Sequence, residues 1–294
     1  MPVDPTLAKR RAVKQGRAML HSLATPLLPR FATAALALLL ALALVPNAPA
    51  QQPAKPSDQD AEYGACLELA RKKPDEAVER AKKWWDAGGN FGPRHCLAIA
   101  LVNKESYVQA AKLLEDLAED AKDEIAPLKA DLYNQSGQAY FLGGLNDQAL
   151  AMHDRALRLK PRDVDFLIDR AVTSDEVGRH LDAVDDLNRA IDIAPDRAEA
   201  WLYRANAQRH LNNLDAALQD ANRAVSLTGA RSPEALLERA TIKGLRKDTA
   251  GARSDLQAVV KLAPESIQGR EAASRLKAMT AKPAAPPAPP KKPN

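Results

Sequence analysis

Between Ala130 and Pro264 apolar and polar positions follow each other with helical spacing, and small residues recur in three columns at a step of 34 residues. The columns are Gly137, Ala171, Ala205; Ala149, Ala183, Ala217; and Ala156, Ala190, Ala224. Turns keep the same step at Pro161 and Pro195, with Gly229 in place of a proline, and Pro264 follows after 35 residues. A fixed period of this length predicts stacked helical hairpins, because one hairpin alone cannot bury its apolar face. Gly or Ala belongs where two helices cross closely. Larger apolar residues are expected to fill the spaces between: Tyr133, Tyr140, Leu157 and Leu159; then Leu167, Leu187, Ile191 and Ile193; then Trp201, Leu218, Val225 and Leu227.

The pattern weakens on either side. Pro233 to Pro264 keeps Ala240 and Ala252 but carries Gly251 inside its second helix, at a cost of up to about 1 kcal/mol relative to alanine. Upstream, Ala98, Tyr107, Ala110, Leu114 and Leu117 fit a hairpin beginning near Phe91. Ala65, Pro74, Ala77, Ala81 and Trp84 fit a shortened one, with Pro74 suited to a first helical turn and Gly88-Gly89 to a helix end. After Pro264, residues Glu265 to about Met279 place Ile267, Arg270, Ala273 and Leu276 on one stripe with polar residues elsewhere, as a terminal cap requires.

These residues resemble the tetratricopeptide repeat: an aromatic early in the first helix (Tyr133 and Trp201, with Leu167 and Leu236 standing in), small residues at three crossings, and a closing proline. The resemblance implies an all-α fold, a right-handed α-solenoid of about six hairpins plus a C-terminal capping helix. It also implies binding in a concave groove lined by first helices. Mapped onto this chain, the groove positions are Asp131, Asn134 and Gln138; Asp165, Asp169 and Val172; Glu199, Leu202, Asn206 and Arg209; and Glu234 with Thr241. Side-chain amides there could bond a peptide backbone of any sequence, and the carboxylates favour a basic ligand. Some relatives clamp a C-terminal carboxylate with Lys, Arg and Asn. Here only Asn134 fits such a clamp, since Asp165 and Asp169 occupy positions that would need basic or amide groups. Each groove residue also reads as ordinary solvated helix surface.

The chain ends differ in composition. An uncharged Ala/Leu stretch from Ala32 to Val45 follows Lys9, Arg10, Arg11, Lys14, Arg17 and Arg30 and precedes Ala48-Pro49-Ala50. That order describes a secretory signal peptide over residues 1–50, cleaved after Ala50. The alternative is an uncleaved membrane anchor, and Met19 is an alternative start. Residues 51–58 read as a linker, 59–280 as the solenoid, and the tail AKPAAPPAPPKKPN, 281–294, as disordered and polyproline-like. The ends carry the basic charge: of the overall +4, residues 1–50 hold +5 and 281–294 hold +3, leaving −4 for the repeats. A net acidic solenoid argues against a nucleic-acid partner.

Cys66 and Cys96, each in the first helix of one of the two weak N-terminal hairpins, are expected to pair in an exported chain. Two separate buried thiols are the alternative. Catalytic signals are absent: no H-E-x-x-H, G-x-S-x-G or G-x-x-x-x-G-K-[ST] occurs, and His95, His153, His180 and His210 are scattered over different hairpins. Carboxylates such as Asp182, Asp185 and Asp186 read as solvated helix faces. The expectation is therefore a non-enzyme without metal or cofactor, periplasmic or secreted, with no membrane span after cleavage. Its expected role is a protein-interaction scaffold of the bacterial envelope, binding a protein or peptide. An accessory subunit of an envelope polysaccharide or cell-wall enzyme system is the alternative, which groove aromatics would favour, and aromatics make up only 4% of the chain.

Overall fold

A computed structural model describes residues 58–121 and 126–280, and all the regular structure there is helical. The helices are α1 (Asp58–Lys72), α2 (Pro74–Asp86), α3 (Phe91–Asn103), α4 (Tyr107–Asp120), α5 (Ala126–Leu142), α6 (Asn146–Leu159) and α7 (Val164–Glu176). They continue as α8 (His180–Ile193), α9 (Ala198–His210), α10 (Leu214–Leu227), α11 (Pro233–Leu245), α12 (Thr249–Leu262) and α13 (Ile267–Thr280). The expected signal segment, nearly all of the linker and the Pro-rich tail lie outside the described residues. No described helix is long and apolar enough to cross a membrane.

Local chemistry sets the helix boundaries. Pro74 and Pro233 sit in the first turns of α2 and α11, where a missing N–H costs nothing. Asp163 caps α7 by accepting from the N–H groups of Asp165 and Phe166 at 3.1 and 3.2 Å, and Ser232 caps α11. Asp248 caps α12 through the N–H of Gly251 at 2.8 Å, and a Cβ on Gly251 would lie 2.1 Å from that carboxylate. The glycine that reads as a helix defect thus makes room for the cap. Each first helix of the last four hairpins ends in a left-handed residue at one repeat position: Gly144, Gly178, Asn212 and Lys247.

The chain divides between Pro161 and Arg162 into two compact bodies. The N-terminal body holds the hairpins α1/α2, α3/α4 and α5/α6; the C-terminal body holds α7/α8, α9/α10 and α11/α12, with α13 packed on the last. Within the C-terminal body α9 touches both α7 and α11, so first helices lie side by side. The small columns are where helices meet: Ala149, Ala156, Ala171, Ala183, Ala190, Ala205, Ala217 and Ala224 are wholly buried. A Cβ on Gly137 would lie 2.6 Å from the His153 ring. At the C-terminal end Leu236, Leu256, Val259 and Ala272 form one core cluster, joined by Trp201, Leu276 and Met279.

Cys66 of α1 and Cys96 of α3 form a disulfide, both wholly buried, that ties the first two hairpins together. Beside it the His95 ring accepts a hydrogen bond from the Tyr63 hydroxyl at Nδ1 (2.7 Å) and donates from Nε2 to Gln135 Oε1 (2.8 Å). Burial holds His95 below the usual histidine range, with the bond to Gln135 opposing, so the neutral ring with its proton on Nε2 satisfies both partners.

Four local readings change. On α13 Gly269 and Ala272 are buried, whereas Ile267, Arg270 and Ala273 of the expected stripe are exposed. Ala65 is exposed, and Cys66 and Ala70 are the buried small residues of α1. Leu159, expected as a filler, is 39% exposed at the last residue of α6. Asp186 is not a solvated carboxylate: it is buried and accepts two hydrogen bonds from Arg170 at 2.6 and 2.7 Å. The same bidentate pair recurs as Arg204 with Asp220 and Arg239 with Asp255. The step is 34 and then 35 residues, and the extra residue falls between Gly229 and Ser232, where Gly229 and Ala230 are both left-handed.

Candidate binding surface

The groove positions divide between the two bodies. In the N-terminal body Asp131, Asn134 and Gln138 occupy α5, a helix buried on most of its circumference. Asp131 is half-buried and paired with Lys160. Asn134 is buried and its Oδ1 accepts from His153 Nδ1 at 2.9 Å, while Gln138 is only 1% exposed. These two amides are therefore parts of the interior as well as of the first-helix register.

In the C-terminal body α7, α9 and α11 bring together the remaining positions. Asp165, Glu199 and Glu234 stand at one repeat position on successive first helices, and Asp169, Tyr203 and Glu238 at another. Asp169 and Val172 are buried, Leu202, Asn206 and Thr241 are half-buried, and Glu199 and Glu234 are exposed. Arg197, just before α9, binds Asp165 and also Glu199 at 3.0 Å. Arg209 donates to Glu238 at 2.6 Å and to Asn206 at 3.1 Å. Thr241 donates to the Leu237 carbonyl at 2.9 Å and accepts from Arg275 of α13 at 2.7 Å.

The residue that sequence reading missed is Tyr203. Burial pushes its hydroxyl up to about 12, and the negative charges of Asp169, Glu199 and Glu234 add to the shift. The acidic run therefore converges on one phenol, and its position 34 residues after Asp169 carried the signal. Electrostatically the surface is mixed: Arg197 and Arg209 already neutralise part of the carboxylate row. Such a surface offers exposed acceptors at Glu199 and Glu234, apolar contact at Leu202, and adaptable hydrogen bonding at Asn206. The histidines regroup as well: His180 and His210, distant in sequence, stand together beside Asp175.

No protein-family model matches the chain. Tetratricopeptide repeat protein 36 of Mus musculus is 35% identical over 88 residues, which are 30% of this chain and 42% of that protein. The protein of the same name from Bos taurus is 31% identical over 96 residues, 32% of this chain and 51% of that one. The matches thus span about half or less of these relatives. Among solved structures, the Cut9-Hcn1 hetero-tetramer of the APC/C is similar with a TM-score of 0.59 at 15% identity, over 74% of this chain and 42% of that chain. A tetratricopeptide repeat protein from Parabacteroides merdae gives 0.53 at 22% identity, over 64% of this chain and 73% of that one. MamA from Desulfovibrio magneticus gives 0.51 at 16% identity, over 60% and 97%. Together the solved structures show an all-α solenoid fold, and the matched stretch is similar to proteins that carry the tetratricopeptide repeat name.

Proposed function

We propose that this protein is a non-catalytic interaction scaffold that binds a segment of a partner protein on the first-helix face of its C-terminal body. The observation that carries the reading is the side-by-side placement of α7, α9 and α11, which sets Asp165, Glu199 and Glu234 in one row, with Leu202 and Asn206 on α9 between its neighbours. The Cut9-Hcn1 structure, a hetero-tetrameric assembly on a similar fold, is in keeping with such a role. A segment bearing Lys or Arg suits Glu234; at Asp165 and Glu199 it competes with Arg197, so charge adds selectivity while apolar contact at Leu202 adds most of the affinity. We further propose that the protein works in an oxidising compartment of the bacterial envelope, a setting supported by the Cys66–Cys96 disulfide and by the signal-like residues 1–50.

Site-specific photocrosslinking tests the face. A photoreactive residue at Leu202 or at Thr241 should capture the partner from an envelope extract, and one at Gln257, exposed on α12, should not. Capture from Gln257 alone would move the binding site to the second-helix face and overturn the reading.

A further inference from the structure

We propose that Asp175, His180 and His210 form a binding site for a divalent transition-metal ion of the Zn²⁺, Co²⁺ or Ni²⁺ kind. Three helices contribute one ligand each: Asp175 next to the end of α7, His180 at the start of α8, and His210 at the end of α9. His180 Nδ1 lies 2.7 Å from Asp175 Oδ1, and His210 Nδ1 lies 3.1 and 3.2 Å from the two Asp175 oxygens. The two imidazoles face each other at 4.8 Å with an interplanar angle of 46°. One ligand atom from each residue falls within 4.8 Å of the others.

The donor set decides the class of ion. Two imidazole nitrogens and one carboxylate oxygen suit borderline metals, whereas Mg²⁺ and Ca²⁺ prefer oxygen ligands throughout. Zinc bonds of about 2.0–2.1 Å place neighbouring ligand atoms a little over 3 Å apart, close to the spacing of Asp175 from each histidine, and the whole set lies within 4.8 Å. Asp175 now accepts from both rings, so an ion would take the place of the two ring protons on the Nδ1 atoms. All three side chains are partly exposed, which gives an ion entry from solvent and leaves room for water as a further ligand. No fixed motif announces the site, because the ligands are five and thirty residues apart and meet only when α7/α8 packs on α9. Bound metal would tie these adjacent hairpins together.

The test uses the full chain, purified without a polyhistidine tag, stripped with a chelator and titrated with Co²⁺, then Zn²⁺ and Mg²⁺. Expected are visible Co²⁺ bands saturating at one equivalent, their displacement by Zn²⁺, no effect of Mg²⁺, and a higher thermal midpoint with Zn²⁺. His180→Gln and His210→Gln should each weaken binding at least about tenfold while keeping the helical circular dichroism. Should a variant fail to fold, protection of His180 and His210 in the unaltered protein from imidazole acylation by Zn²⁺, read by peptide mass spectrometry, decides instead. Undiminished Co²⁺ binding in both folded variants, absence of saturable binding, or unprotected histidines would overturn the site.

Discussion

The guanidinium of Arg204 holds Asp220 with two hydrogen bonds, Nε at 2.8 Å and Nη2 at 2.7 Å, while its remaining Nη1 reaches Asn188 of the preceding hairpin at 2.8 Å. The same side chain lies over the Trp201 ring at 4.8 Å. One arginine therefore joins the two helices of its own hairpin and links that hairpin to the one before it. Arg239 repeats the arrangement with Asp255 and Asn222. Removing one partner of a buried pair costs about 3–5 kcal/mol, and the partial exposure of Arg204 reduces this, so Asp220→Ala should lose about 2–3 kcal/mol in urea unfolding. The double variant Arg204→Met, Asp220→Leu should lose less than the sum of the single changes. A loss under about 0.5 kcal/mol for Asp220→Ala would mean the pair behaves as an exposed one.

Reduction of the Cys66–Cys96 disulfide should lower stability by about 3–4 kcal/mol in the chain-entropy view of a thirty-residue loop. The loss should be confined to the N-terminal body. Hydrogen exchange with and without reductant checks this: α1 and α3 should exchange faster while α9 and α10 stay protected.

Two glycines should respond oppositely to alanine. A Cβ on Gly269 would lie 1.9 Å from the Ala263 carbonyl oxygen, which belongs to backbone that cannot swing aside, so Gly269→Ala should destabilise by about 1–3 kcal/mol or more and loosen α13. Nothing lies within 4 Å of a Cβ on Gly64, in the middle of α1, so Gly64→Ala should stabilise by about 0.5–1 kcal/mol. Thermal melts of the two variants check both signs.

His95 should make stability fall in mild acid. Its folded-state pKa is depressed by burial below the ordinary value of 6.5, so the unfolded chain binds a proton more readily. Its contribution is complete above pH 6.5 and is lost progressively as pH falls from 6.5 toward the folded value. Urea unfolding at pH 8, 6.5 and 5 should show this decline, and His95→Asn should flatten it. Asp255 acts in a lower window: burial raises its pKa, but bonds from Arg239 and Lys243 outweigh that and leave it lowered. Its contribution is present above about pH 4 and disappears as pH drops through the folded-state value.

Helix identity and stacking were legible because small residues and turn prolines repeat at a visible step, and Ala171, Ala183 and Ala190 are buried as that step requires. The arginine–aspartate pairs repeat at the same step, yet Asp186 reads as solvent-facing until Arg170 is placed against it. Helical periodicity ranks a carboxylate by polarity and has no term for a partner sixteen residues away. The acidic row was legible as types of residue, but its partial neutralisation by Arg197 and its convergence on Tyr203 depend on side-chain reach between hairpins. The same reason hid the meeting of Asp175, His180 and His210.

The residue added between Gly229 and Ser232 lengthens one interval without disturbing any helix, since Ser232 still caps α11 and Arg239 still finds Asp255. Two consecutive left-handed residues, Gly229 and Ala230, absorb it. The joint between α10 and α11 thus works as a slack link in the chain. There a foreign loop could be spliced in, or a cut opened for new termini, while every neighbouring helix keeps its frame.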